Sequence, residues 1–226
     1  MNGWGLYILL LAPTLVVGLA VQWWLKRTFE RYSNVELLAG LTGADVARQI
    51  LDRNGLEDVP IDRSDAGALS DNYDPRKRAL HLSPPVYDPK TVAAAAVAAH
   101  ESGHALQHQS GYAALRLRSA MFPVVAIASN TWIYLLIIGV ILGALNLITI
   151  AILVYAVAVL FHIVTLPVEF NASRRAGQQL RALGLVTADE SAGVQRVLTA
   201  AALTYVAGAL AALTQLLYFV LAYLRD

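Results

Sequence analysis

His100-Glu101-Ser102-Gly103-His104 sets two imidazoles four residues apart with a carboxylate beside the first. On an α-helix, positions i and i+4 share a face, so both rings can reach one ion while Glu101 points beside them toward a water. That spacing implies zinc metallopeptidase chemistry. The flanks put the stretch on a helix. Asp88-Pro89 reads as an N-cap followed by proline at the first helical position, Val92 to Ala99 is an alanine-rich run of high helix propensity, and Gly111 reads as the stop. His108 continues the row, but at about 1.5 Å rise per residue it stands roughly 12 Å along the axis from His100. It is read as a helix-surface residue, not a ligand.

Outward from this helix the chain is strongly apolar. Its 226 residues are 57% hydrophobic, with mean hydropathy +0.54 and formal net charge +1. These values point to a membrane protein and away from nucleic-acid binding. Four stretches reach or approach the ~20 residues needed to cross a bilayer: Gly5 to Val21, Met121 to Leu142, Leu145 to Leu166 and Leu198 to Leu224. Trp4 and Tyr7 at one end of the first, and Trp23 and Trp24 at the other, read as interfacial belts. Twelve of the seventeen Lys and Arg residues fall between Lys26 and Arg118, and Arg174, Arg175, Arg181 and Arg196 follow the third stretch. Sixteen of seventeen therefore lie on one side, which the positive-inside tendency makes the cytoplasm. The first stretch lacks a basic n-region and reads as an uncleaved anchor, with both termini exported. There is no cysteine, which rules out disulfides and thiolate ligands.

The polar segment 26–118 is large enough for a small core. Thr42 with Asp45 reads as a capping box opening a helix with Val46, Ala47, Ile50 and Leu51 on its apolar face, stopped at Asn54-Gly55. Val59 to Ile61 and Ala79 to Leu82 read as strands, and Asp71-Asn72-Tyr73-Asp74-Pro75 as a dense turn between Leu69 and Arg78. Ala79 to Ser83 is either an ordinary hairpin strand or an edge strand that receives substrate backbone by β-augmentation.

A catalytic zinc takes three protein ligands and keeps one position open, so a third side chain must arrive from elsewhere. The second and third apolar stretches form a hairpin that returns the chain to the same face, and Glu169 stands just past the second of them. Pro167 permits a kink or restart there, and Gly184 marks the end of the polar helix that follows. The metzincin continuation would need Gly and His where Gln107 and Ser110 stand. His162 lies inside the third stretch and is either a functional group or a hydrogen-bonding member of the bundle.

The stretches Leu41 to Ala47, Asp71 to Pro75, Ala98 to His108, Leu166 to Arg175 and Ala200 to Val206 together resemble the YugP-type bacterial membrane zinc metallopeptidases. More distantly, the order of zinc helix, membrane hairpin and returning glutamate is similar to the HtpX-type membrane peptidases. The resemblance implies a gluzincin-like site, with Zn²⁺ on His100, His104 and Glu169 and with Glu101 as the base. The family's turn usually reads Asp-His-Tyr-Asp-Pro, whereas Asn72 stands here, which argues against a metal role at position 72. Ser173 occupies the place four residues after Glu169 where an aspartate often supports a ligating histidine, so Ser173 or Asn171 takes that supporting role.

The expected fold is a mainly α membrane protein, with about four transmembrane helices and a small cytosolic α+β zincin-like metallopeptidase unit. Its expected divisions are an anchor (1–25), a zinc-peptidase unit (26–118), a transmembrane hairpin (119–167), cytosolic helices bearing the third ligand (168–197) and a last transmembrane helix (198–226). The expected activity is hydrolysis of peptide bonds in membrane-associated or cytosolic protein substrates, by a multi-pass protein of the cell membrane whose site faces the cytoplasm. Tyr73, His81, Arg174 and Arg175 are candidates for oxyanion support. Two rival readings stand beside this one. An intramembrane metalloprotease would need an aspartate in a later span, and the third and fourth spans contain none. A non-catalytic zinc scaffold or adaptor gives Glu101 no task.

Overall fold

The computed structural model describes residues 3–65, 67 and 70–224, without the side chains of Trp4 and Leu6. The interfacial reading of Trp4 and the flanking role of Leu69 thus lie outside the described residues. Among the described residues, seven helices and three strands follow in the order α1 (Gly3–Ser33), α2 (Gly43–Arg53), β1 (Ile61–Arg63), β2 (Asn72–Asp74), β3 (Ala79–Leu82), α3 (Pro84–Tyr87), α4 (Val92–Gln109), α5 (Ala113–Leu142), α6 (Leu145–Ala182) and α7 (Ala188–Tyr223).

α1, α5, α6 and α7 are each long and apolar enough to cross a membrane. Their apolar side chains face outward: Leu15 and Leu19 on α1 are each 63% exposed and Ile127 on α5 is 70% exposed. A core helix would bury those residues, so this pattern fits a lipid solvent. One compact unit gathers residues 1–22, 113–167 and 204–226. Within it Trp132, Tyr155 and Phe219 stack at centroid distances of 4.6–5.9 Å. The Tyr155 hydroxyl reaches Gln215 Oε1 at 3.3 Å, so the buried phenol is not left without an acceptor.

The second unit gathers residues 23–112 and 168–203. Thr42 and Asp45 form the expected reciprocal capping box at the start of α2, and Val46, Ala47, Ile50 and Leu51 are all buried. α4 begins later than Asp88-Pro89 suggests. Its N-cap is Thr91, whose hydroxyl accepts from the Ala94 N–H, and Asp88 instead closes the short helix α3. Gly111 takes φ +62 just past the end of α4, the left-handed conformation a helix stop requires. α6 runs unbroken through Pro167 to Ala182, with no restart.

The sheet has the order β1-β3-β2, with β1 parallel and β2 antiparallel to β3. Two readings of this region need correction. Asn72 to Asp74 is a strand, paired Asn72 with His81 and Asp74 with Ala79, because its polar side chains organise the ends of the strand. Asp71 accepts from the Ser83 N–H at 2.7 Å, and Asp74 accepts from the Arg76 and Lys77 N–H groups, which moves the turn to residues 74–78. β3 is hydrogen-bonded on both sides and is the central strand, so Ala79 to Ser83 cannot be the edge that accepts another chain. The edge strands are β1 and β2.

Candidate metal centre

The alanines of α4 carry no bulk, so α4 is buried along nearly its whole length and its His-Glu face is enclosed. Gly103, within the His100–His104 stretch, is the contact point with α6. A Cβ there would stand 2.6 Å from the Ala172 carbonyl oxygen, so only glycine lets the two backbones come this close. One turn back along α6 from Ala172, Glu169 reaches the two histidines.

Glu169 Oε2 lies 3.2 Å from His100 Nε2 and 3.6 Å from His104 Nε2. One donor atom from each residue falls within 4.8 Å of the others. A tetrahedral zinc with bonds of about 2.0–2.1 Å sets its ligands roughly 3.3–3.4 Å apart. The N₂O donor set and the spacing of Glu169 from both imidazoles therefore fit a zinc ion. His100, His104 and Glu169 are only 13%, 9% and 2% exposed at the side chain. Burial alone would raise the Glu169 carboxyl, but hydrogen bonds and charge from His100 and His104 hold it well below the usual carboxylate range.

The remaining ring nitrogens are tied down. His100 Nδ1 lies 3.1 Å from Ser173 Oγ, four residues past Glu169 on the same helix. His104 Nδ1 lies 3.0 Å from Gln107 Oε1. The Gln107 amide nitrogen donates to the Val168 carbonyl at 2.7 Å and to Asn171 Oδ1 at 3.0 Å, and Asn171 Oδ1 also accepts from Arg175 Nε at 2.8 Å. With both acceptors on α6 claiming its NH₂, Gln107 can offer His104 only its oxygen, so His104 Nδ1 is the donor in this contact and Nε2 is the nitrogen that faces Glu169. Gln107 is fully buried. Sequence reading passed over it, although a glutamine three residues after a ligand candidate on an alanine-rich buried helix is a usable signal.

Glu101 is 8% exposed beside this group. Burial pushes its carboxyl up to about 7; His100 opposes the rise, and the Glu169 and Asp71 carboxylates add to it. The Tyr73 backbone N–H, on edge strand β2, also faces Glu101 and lowers its value slightly. The Tyr73 hydroxyl lies 2.7 Å from His108 Nδ1, so His108 is held by the sheet and is not a free surface group. His81 pairs with Asp62 at 3.5 Å across β3 and β1. Arg174 is exposed on α6 with no hydrogen-bond or ion-pair partner among the described residues. His162 stands seven residues before Glu169, exposed, with its ring beside Gly208 of α7. It is not part of the three-residue group.

The family described as "Putative neutral zinc metallopeptidase" matches residues 7–224. Over 220 residues, 97% of each chain, the sequence is 49% identical to "Putative membrane protease YugP" of Bacillus subtilis (strain 168). No solved structure matches.

Proposed function

From the premise that this chain belongs to the neutral zinc metallopeptidase family, we propose that it is a multi-pass membrane endopeptidase with its zinc on His100, His104 and Glu169 and with Glu101 as general base. The observation that carries this reading is a buried carboxylate, Glu101, set against a three-ligand group with the spacing of a tetrahedral site. A purely structural site has no use for it.

Zinc, when bound, polarises the scissile carbonyl and acidifies the attacking water. Glu101 would take the proton from the attacking water and return it to the leaving amine. Ser173 and Gln107 keep the two imidazoles in the orientation that ligation needs. The free edge of β2, whose Tyr73 N–H faces Glu101, is the natural place for an extended substrate segment to pair. The polar unit is cytosolic on the charge distribution, so the substrates are membrane-associated proteins or cytosolic segments close to the bilayer.

Glu101→Gln tests the assignment. The amide keeps size and leaves both imidazoles in place, so zinc content should hold while cleavage of a protein substrate falls by about 10²–10⁴-fold. Cleavage at the wild-type rate would remove Glu101 as the base. Full zinc content in Glu169→Ala would remove the third ligand.

A further inference from the structure

A groove of about 250 Å³ runs between α6 and α7 in the polar unit, and it includes none of the proposed ligands or the proposed base. Along α6 its wall is a single helical stripe from Phe170 to Arg181, about 16 Å long at 1.5 Å per residue. The two helices are antiparallel here, so Phe170 and Leu203 form one end and Arg181 and Gln195 the other. The first end adjoins the apolar spans in sequence: Phe170 follows Pro167 by three residues and is 48% exposed, and Leu203 lies within the apolar run that starts at Leu198. The second end is cationic. Arg181 is exposed, and its guanidinium nitrogens lie 3.4 and 4.0 Å from where a Cβ on Gly177 would stand, one turn back along α6. Arg174 occupies the next turn. Neither arginine has an ion-pair partner among the described residues, and no carboxylate lines the groove.

Two arginines without a counter-ion along one groove, one of them lying over a glycine, together with an apolar end that adjoins the spans in sequence, call for an amphiphile with an anionic head. We propose that this groove binds an anionic phospholipid, with its phosphate on Arg174 and Arg181 and an acyl chain along Phe170 and Leu203. Arginine suits this role because its planar fork gives a phosphate two parallel donors, and basic pockets at the ends of membrane helices recognise such head groups. Arg181 spends one weak bond, 3.4 Å, on Ser191 Oγ, so its other donors remain for the ligand. Ser173 lines the same groove and its hydroxyl lies 3.1 Å from His100 Nδ1, so the groove wall and the histidine pair share one side chain.

The test is a titration of the detergent-solubilised full-length protein with dioctanoyl-phosphatidylglycerol, reading the lipid-bound fraction by native mass spectrometry. Dioctanoyl-phosphatidylcholine serves as the neutral control. Wild type should prefer the anionic lipid, and Arg174→Gln with Arg181→Gln should weaken its binding about tenfold. Gly177→Leu, which pushes the Arg181 guanidinium from its place over the glycine and keeps both charges, should weaken it as well. The pair Lys26→Gln with Arg116→Gln, exposed basic residues elsewhere near the spans, should bind like wild type. The proposal is overturned if that control pair weakens binding as much as the groove pair, if Gly177→Leu binds normally, or if the neutral lipid binds equally. It is also overturned if a glutamate-rich peptide displaces the lipid at lower concentration, which would assign the groove to a polypeptide.

Discussion

Replacing Gln107 by Leu removes the acceptor of His104 Nδ1–H and the donor that ties α4 to the Val168 carbonyl, next to Glu169. Groups that orient a ligating histidine are typically worth 10–100-fold in metal affinity. Gln107→Leu should therefore weaken zinc binding by about that factor in a chelator competition, while Gln107→Glu, which still accepts from His104, should lose less. Wild-type affinity in Gln107→Leu would show that His104 needs no orienting partner. If His104→Ala also kept its zinc, the ligand assignment itself would be at fault. At this scale much of the site is legible in sequence, since His100, Glu101 and His104 lie within one helical turn, where helix geometry alone dictates their meeting. Gln107 was legible only as a spacing and took its meaning from two acceptors on a helix more than sixty residues away.

Gly103→Ala would be expected to stabilise α4 by about 1 kcal/mol if propensity decided the outcome. The added Cβ would instead stand 2.6 Å from a backbone oxygen of α6, which cannot rotate away as a side chain could. Overpacking of this kind costs about 1–3 kcal/mol, so packing should win. The expected result is a lower thermal unfolding midpoint together with reduced zinc content, because α6 carries Glu169. A raised midpoint would contradict the close approach. A second contact lies at the start of α7. Glu190 accepts from the Thr187 N–H at 2.7 Å in a capping box and from the Leu38 N–H at 2.7 Å, joining α7 to the loop before α2. Burial raises its carboxyl, but these hydrogen bonds outweigh it and leave the value below the ordinary one. The contribution is complete above the ordinary carboxylate value near 4.3 and is lost as pH falls through the lower folded value. Glu190→Ala should cost about 1–3 kcal/mol at neutral pH, shrinking in acid, as measured by unfolding midpoints across pH. Equal midpoints for mutant and wild type at pH 7 would discount the link.

Asp52→Cys and Gln178→Cys, both at exposed positions of the polar unit in a chain without native cysteine, test the orientation of the whole molecule. Sixteen of seventeen basic residues lie on these segments, so an impermeant thiol reagent should label neither in intact cells and both after the inner face is opened. Labelling of either in intact cells would reverse the orientation. The four long helices were readable from sequence because about 20 apolar residues in a row have one low-energy state in lipid, a condition each segment meets by itself. The unbroken course of α6 was not, because proline lacks the N–H that its helix position requires and surrounding helices decide whether that loss bends the chain. The order of the sheet was hidden for a related reason. Three-residue strands carry no periodicity, and whether β3 is an edge or a centre depends on partners brought in from residues 61–63 and 72–74. What the sequence by itself determined is what local spacing enforces: the helical face of His100, Glu101 and His104, the capped α2 and the apolar spans. The order of the spans also returned Glu169 to that side, whereas tertiary structure alone decided its contact with both imidazoles, the donor role of His104 Nδ1 and the edge left open beside Glu101, because each depends on backbones from distant segments coming within hydrogen-bonding or van der Waals contact.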